Sequence, residues 1–166
     1  GNTLTCDTVS LLCAYTLSDG TIAVFDTTKT ANIGVAASAG AVTTITKPDG
    51  EILTYYYKRI VTTTYIPPIG QYATLLGPQS VVSSLGWMVK YEITNVGGVA
   101  PTKIYVINLS QGYCRPDIDS VAGGLPNCDI STITTWPTLL IGTAGSNTTY
   151  TIHDLSGGTD HAYTLT

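Results

Sequence analysis

The sequence predicts an all-β protein, and three features of the chain support this fold class. It contains 29 Thr and 11 Tyr among 166 residues, and β-branched and aromatic side chains favour the pleated surface of a sheet. Short alternating segments are separated by Gly and Pro throughout. Strong helix formers are scarce, with only two Glu. We therefore expect one Ig-like or jelly-roll antiparallel β-sandwich domain spanning residues 1–166.

Ten candidate strands follow one another along the chain, each a short run of apolar or alternating residues. They are Val9 to Thr16, Thr21 to Asp26, Ala41 to Thr46, Glu51 to Lys58, Ile60 to Ile66, Gly86 to Asn95, Lys103 to Ser110, Ser131 to Ile141, Thr148 to His153 and His161 to Thr166. Turn signals such as Ser18-Asp19-Gly20 and Pro48-Asp49-Gly50 separate them. Strands so closely spaced predict hairpins and Greek-key links.

The clearest alternation lies in the segment from Trp87 to Thr94. One face carries Trp87, Val89, Tyr91 and Ile93, and the other carries Lys90, Glu92 and Thr94. Because successive side chains of a strand point to opposite faces, the first set is predicted as core and the second as solvent-exposed. The segment Lys103 to Ser110 is apolar on both faces until Asn108, which is typical of a strand covered on both sides.

Charged residues are rare and unevenly placed. They form 11% of the chain, against roughly 25% in typical soluble domains, and residues 60–89 and 130–152 contain none. Strand faces and edges of a monomer normally carry charges that keep it soluble and unpaired. Either a neighbouring subunit covers part of this surface, or hydroxyl groups alone wet it, with O-linked sugar as a further possibility.

Two classes of partner are excluded by the distribution of charge and hydropathy. Five Lys and two Arg are scattered without a basic stripe, and the net charge is -4, so we expect no nucleic-acid binding. No run of 18 apolar residues is present, so we expect no membrane-spanning helix.

Cysteines and glycosylation motifs point to an extracellular location. The four cysteines Cys6, Cys13, Cys114 and Cys128 form an even set without a Cys-x-x-Cys pair. Pairing of 6 with 13 and of 114 with 128 is favoured, and the other two connectivities stay open. Two Asn-x-Ser/Thr sequons begin at Asn108 and Asn147, which are therefore predicted glycosylation sites.

No motif in the chain predicts catalysis, a cofactor or a strong metal site. Gly-x-Ser-x-Gly, His-Glu-x-x-His and phosphate-binding Gly-rich loops are all absent from the sequence. A hairpin centred on Gly157 would bring His153 and His161 to face each other, which makes them the weak candidates for a transition metal. Exposed polar residues at a hairpin end are the commoner interpretation.

The segment from Tyr91 to Ile107 reads as strand, Asn-x-Gly turn and strand. It resembles the equivalent hairpin of the camelysin/TasA-like extracellular fibre proteins and of the related archaeal bundling pilins. The Thr-rich, charge-poor composition is also similar to that of surface filaments of hyperthermophilic archaea. The resemblance implies a jelly-roll-like sandwich that polymerises by donor-strand complementation, each subunit lending a terminal strand to the next.

The donor segment that we expect on this basis is Gly1 to Tyr15. Its candidate interface residues are Leu4, Val9, Leu11 and Tyr15. The predicted function is thus a subunit of an extracellular filament or pilus, a homopolymer for adhesion or biofilm cohesion, with cell-surface or matrix glycans as further partners. Alternatives are a monomeric carbohydrate-binding or adhesin module, a virion or surface-layer coat protein, and a secreted hydrolase.

Overall fold

The computed structural model describes residues 1–29, 32–33, 36–37, 40–66, 71–92, 102–110, 114–117, 138–144, 147–153 and 160–165. All the regular elements within these ranges are β-strands, which confirms the all-β prediction. They are β1 (Thr3–Asp7), β2 (Leu12–Thr16), β3 (Ile22–Asp26), β4 (Asn32–Ile33), β5 (Ala36–Ala37), β6 (Ala41–Thr46), β7 (Ile52–Ile66), β8 (Gln71–Ser83), β9 (Trp87–Glu92), β10 (Lys103–Asn108), β11 (Thr138–Ala144), β12 (Asn147–His153) and β13 (His161–Leu165).

The strands form one antiparallel sheet whose neighbours follow the chain order. The order is β1-β2-β3-β6-β7-β8-β9-β10-β11-β12-β13, and the short strand β4 pairs with β5 and β8. Short turns connect several of these antiparallel neighbours, such as β2 to β3 and β8 to β9, whereas a long segment separates β10 from β11. Among the described residues no pairing joins β1 to β13, so the sheet is open there. The Ig-like or jelly-roll sandwich and the single domain over 1–166 stay predictions.

Three hairpins share one turn design, in which a Gly with positive φ donates its N–H to the carbonyl three residues earlier. These glycines are Gly20 (φ 91°, N–H to O 3.1 Å), Gly50 (φ 88°, 3.0 Å) and Gly86 (φ 87°, 3.1 Å). The pattern is that of a type I turn followed by a left-handed residue. The carboxylates of Asp19 and Asp49 each accept a further backbone N–H within the first two turns. The Asp-Gly turn signals of the sequence are therefore confirmed.

The pair β7–β8 departs from the sequence-based assignment. The two strands predicted over 51–58 and 60–66 are one strand, β7, and its partner β8 was not predicted at all. Tyr56 pairs with Ser80, but the register shifts before Tyr57, which pairs with Pro78. A bulge tolerates a proline that a regular ladder position would not. Proline is rare inside paired strands, so only the pairing with β7 shows that residues 71–83 form a strand.

The main buried cluster lies on one face of β8, β9 and β10. It comprises Met88, Tyr105, Ile107 and Cys114, with Val82 and Leu109 packed against it. The segment 114–117 lies across this face and is bonded to it. The Ser80 hydroxyl donates to the Pro116 carbonyl at 2.6 Å, and the Lys90 ammonium donates to the Arg115 carbonyl at 2.7 Å.

The burial of Lys90 reverses the faces predicted for β9. Lys90 was expected in solvent and is fully buried, whereas Trp87 was expected in the core and its residue surface is 48% exposed. The alternation itself is present, but the buried face is the other one. A buried ammonium needs hydrogen-bond acceptors, and one of them comes from the segment 114–117, which is distant in sequence. Ile93 and Thr94 lie outside the described residues.

Removal of the Lys90 side chain tests this contact. We expect Lys90→Ala to lower the free energy of unfolding by about 2–4 kcal/mol, because it deletes a packed stem and the donor to the Arg115 carbonyl. Lys90→Met keeps the stem and should cost about 1–3 kcal/mol. Urea unfolding measures both.

The matched control is Lys29→Ala. The Lys29 side chain is 46% exposed and lies 3.6 Å from an Asp26 carboxylate oxygen, so its loss should change stability by at most about 0.5–1 kcal/mol. Equal losses for Lys90→Ala and Lys29→Ala would show that Lys90 contributes nothing through burial.

Candidate functional site

The first candidate site is the amino-terminal hairpin formed by β1 and β2. Its register places Cys6 opposite Cys13, and the structure joins them in a disulfide with a Cα–Cα distance of 4.0 Å. The chain reverses through residues 8–11. There the Asp7 carboxylate accepts the Val9 N–H at 2.8 Å, a bond that lowers the pKa of Asp7. The favoured pairing of 6 with 13 is thus present, and Gly1 to Tyr15 is a hairpin in this structure.

The predicted donor residues differ in their exposure within this hairpin. Leu4 is 64% exposed, Val9 91% and Leu11 45%. Tyr15 is half-buried, and its hydroxyl oxygen accepts a hydrogen bond from the Asn2 amide at 2.9 Å. Every residue of β1 is exposed. Three large apolar side chains in a small element are therefore in contact with solvent, which is typical of an interaction surface.

The turn of this hairpin holds an unusual backbone conformation. Leu11 has φ +58°, in the left-handed region that non-Gly residues seldom occupy. Its carbonyl accepts two hydrogen bonds from Thr27, one from the N–H at 3.0 Å and one from the hydroxyl at 2.8 Å. These bonds hold the turn against the end of β3 and fix the direction in which the hairpin projects.

The outer edge of β1 exposes alternate backbone groups. A Cα–Cα distance of 4.0 Å identifies Cys6–Cys13 as a non-hydrogen-bonded pair of the ladder. Thr5 and Asp7, its neighbours in β1, therefore direct their N–H and C=O groups to β2. The same groups of Leu4 and Cys6 point away from β2, toward an edge that no other described strand pairs with. This edge has the geometry needed to accept another strand.

The opposite edge of the sheet is β13, and it is equally exposed. All five of its residues are exposed, including Tyr163 at 59% and Leu165 at 62%. Its inner side pairs with β12, in a register that places His161 opposite Ile152. The two ends of the described sheet thus both combine a strand edge with exposed apolar side chains.

The histidines of the β12–β13 hairpin do not face each other as predicted. His161 pairs with Ile152, while the His153 Nδ1 lies 2.6 Å from a carboxylate oxygen of Asp160. The register differs by one residue from a hairpin centred on Gly157, and a shift of one residue sends two side chains to opposite faces. The described residues contain no group of three or more His, Cys, Asp or Glu that could hold a metal ion.

The remaining predicted residues lie at strand ends or in the segment 114–117. Cys114 is buried and disulfide-bonded, while Cys128 lies outside the described residues. Asn108 is the last residue of β10 and Asn147 the first of β12. Asn108 is half-buried and Asn147 is exposed, and glycosylation of both stays a prediction.

A second candidate site, not identified from the sequence, is a cleft beside the segment 114–117. Its volume is about 460 Å³, and its lining is rich in hydroxyl groups: Lys29, Thr43, Thr44, Thr54, Tyr55, Tyr56, Tyr57, Gln79 and Asp117. The register aligns Thr44, Thr54 and Val82 across three strands, on the face that carries Met88. Tyr56 shares this face with Ser80. The cleft is thus lined by tyrosines, threonine hydroxyls, one lysine and one aspartate.

The hydroxyl pKa values of Tyr57 and Tyr105 are raised, and one of these tyrosines, Tyr57, lines this cleft. Burial raises the pKa of the Tyr57 hydroxyl, and the neighbouring Tyr55 and Tyr91 raise it further. Burial likewise raises the pKa of Tyr105, whose hydroxyl donates to the Glu92 carboxylate at 2.7 Å. These hydroxyls therefore remain hydrogen-bond donors. The run Tyr55-Tyr56-Tyr57 is the sequence feature that could have drawn attention to the cleft, but only the pairing of β6 with β7 shows which residues face it.

Comparison with models of protein families, with curated proteins and with solved structures finds no match for this chain. In the part of the chain that the structure describes, no helix has the length and apolar character that crossing a bilayer requires.

The disulfide of the amino-terminal hairpin can be tested by hydrogen exchange. We expect the double variant Cys6→Ser, Cys13→Ser to exchange the amides of β1 and β2 about 30–150 times faster, because closing a short loop contributes about 2–3 kcal/mol to the stability of the closed form. Amides of β9 and β10 serve as the internal control and should keep their protection. An equal loss of protection in β9 and β10 would mean that the disulfide stabilises the whole sheet.

Proposed function

We propose that this chain is the structural subunit of an extracellular filament or pilus that polymerises by β-strand donation and serves adhesion or biofilm cohesion. The observation that carries the proposal is the amino-terminal hairpin. Its outer edge presents the backbone groups of Leu4 and Cys6, and exposed apolar side chains flank that edge. An added strand would satisfy those groups and cover those side chains at once.

The two edges differ in sequence, and this favours an open polymer over a closed dimer. One edge is β1, with Leu4, and the other is β13, with Tyr163 and Leu165. Contact between unlike surfaces is head-to-tail, and such contacts extend indefinitely unless a rotation closes them. In this proposal β1 of one subunit continues the sheet of the next at β13, so the donated element is the whole hairpin. The Ig-like or jelly-roll sandwich remains part of the proposal, with the neighbour completing the sheet.

A single proline tests strand donation without removing the hairpin. Leu4→Pro deletes an N–H that points away from β2, so the β1–β2 ladder should keep its bonds while the outer edge loses a donor. We expect wild-type protein, purified without denaturant, to form filaments in electron micrographs and Leu4→Pro to remain a monomer with an intact Cys6–Cys13 disulfide.

Two further variants distinguish the loss of the backbone donor from the loss of the apolar side chain. Leu4→Ala retains the N–H and should still polymerise, with the critical concentration raised about tenfold by the lost apolar contact. Deletion of residues 1–15 should abolish filaments. A wild-type protein that is a monodisperse monomer would eliminate the filament proposal, and closed shells or flat sheets would instead identify a coat protein.

The cleft beside the segment 114–117 favours a second candidate function, a monomeric secreted carbohydrate-binding or adhesin module. Saccharides are bound by aromatic rings that stack on their C–H faces and by hydroxyl and amide groups that bond their hydroxyls. Tyr56, Thr44 and Thr54 supply these groups in a cleft of about 460 Å³. Saccharide binding in this cleft would not involve the exposed edge strands β1 and β13.

A panel of soluble oligosaccharides, titrated by calorimetry, tests this candidate. For any sugar that binds, Tyr56→Ala should weaken affinity about tenfold because it removes the stacking ring. Tyr163→Ala, on the exposed edge strand β13, is the matched control and should bind as the wild type does. Absence of binding across the panel, or equal effects of the two variants, would refute a saccharide site in the cleft.

A further inference from the structure

Trp87 is an exposed indole beside a glycosylation motif. Trp87 and Asn108 are opposite each other in the antiparallel pairing of β9 with β10. Directly opposite residues project from the same face of a sheet. Almost half of the Trp87 surface is exposed to solvent, although a large aromatic residue in a strand is normally covered.

The type of ladder position brings these two side chains close. The N–H of Leu109 donates to the carbonyl of Gly86 at 2.9 Å. Bonded and non-bonded positions alternate along an antiparallel ladder, so Trp87 and Asn108, the next pair, occupy a non-hydrogen-bonded position. Such pairs have Cα atoms about 4.5 Å apart, and their side chains approach more closely than at any other position.

The polar atoms of Asn108 are held in an orientation that leaves its amide nitrogen available. The Oδ1 atom accepts two hydrogen bonds from Ser110, from the N–H at 3.0 Å and from the hydroxyl at 2.7 Å. Among the described residues the Nδ2 atom has no hydrogen-bond partner. Ser110 is the third residue of the sequon, so the motif orients its own asparagine.

We propose that Asn108 carries an N-linked oligosaccharide whose first sugar packs on the indole of Trp87. The donor is an oligosaccharide linked to a polyprenyl diphosphate, used by an oligosaccharyltransferase. The Nδ2 atom attacks the anomeric carbon, the bond from that carbon to the diphosphate oxygen breaks, and a base of the transferase takes one Nδ2 proton. The polyprenyl diphosphate leaves with the bonding electrons, and no oxidant or reductant is needed.

The neighbouring side chains suit a stacked sugar. On the same face, Val89 and Val106 form the next pair along β9 and β10, and Ser83 of β8 pairs with Trp87. The C–H face of a pyranose is apolar and packs on an aromatic ring, while its hydroxyls remain in solvent. The sugar would thus cover the exposed indole and make the surface around it polar, in a chain with few charges. This inference does not depend on filament assembly.

Secretion of the full chain from a eukaryotic host, followed by peptide mass analysis, tests whether Asn108 is modified. The stacking is tested by acrylamide quenching of Trp87 fluorescence in a Trp136→Phe background, before and after an amidase removes the glycan. We expect the quenching constant of the glycosylated form to be about twofold lower, because one face of the indole is covered. Asn147→Gln is the matched control and should leave this difference unchanged.

A double-mutant cycle measured by thermal unfolding gives a second test, and it requires no substitution of Trp136. The glycan at Asn108 should raise the unfolding midpoint by about 2–4 °C relative to Asn108→Gln, and most of this gain should disappear when both proteins carry Trp87→Ala. An unmodified Asn108, or a modified one that leaves both the quenching of Trp87 and this midpoint difference unaffected, would overturn the proposal.

Discussion

The contact of the segment 114–117 with one face of β8, β9 and β10 is the interaction on which the buried core depends. A single sheet covers neither of its own faces, so a residue on it is buried only where another part of the chain lies across it. Among the described residues that part is the segment 114–117, whose backbone carbonyls accept hydrogen bonds from Ser80 and Lys90. Met88 and Ile107 are buried beneath it. The other face, with Trp87, lacks this cover and is the one on which we place the glycan.

The pairing of strands in chain order also determines which strands form the exposed edges of the sheet. Strands that pair in chain order place the first and last strands at opposite ends of the described sheet. Charged side chains, prolines and bulges are the usual protection of such edges. The described β1 has one charged residue, Asp7, which instead accepts N–H groups of its own turn. An edge held in shape by a disulfide and left without protection is better suited to pairing than to isolation.

The sequence predicted the strands well where local signals agreed and failed where a distant segment decided the outcome. The Asp-Gly turns at 19–20 and 49–50 and the alternation of β9 depend on neighbours in sequence, and they were predicted. Which face of β9 is buried was not predicted correctly, because the distant Arg115 carbonyl accepts a hydrogen bond from the buried Lys90 ammonium. β8 was missed because Pro78 sits in a bulge whose existence depends on pairing with β7. Among the candidate sites, the disulfide and the sequons could be predicted because they are motifs in the sequence. The cleft could not, because its residues come together only when three strands pair in register.

The scarcity of charge is explained if assembly and glycosylation act on different parts of the surface. Strand pairing between subunits would cover the edges, where Leu4, Tyr163 and Leu165 are exposed. Such edge pairing does not reach Trp87, which lies on a face of β9, with β8 and β10 on either side. A sugar on Asn108 would reach that face from within the same subunit and would bring hydroxyl groups in place of ions. On these two proposals the chain would need few charges for solubility, because the next subunit would bury one apolar surface and its own glycan would cover the other.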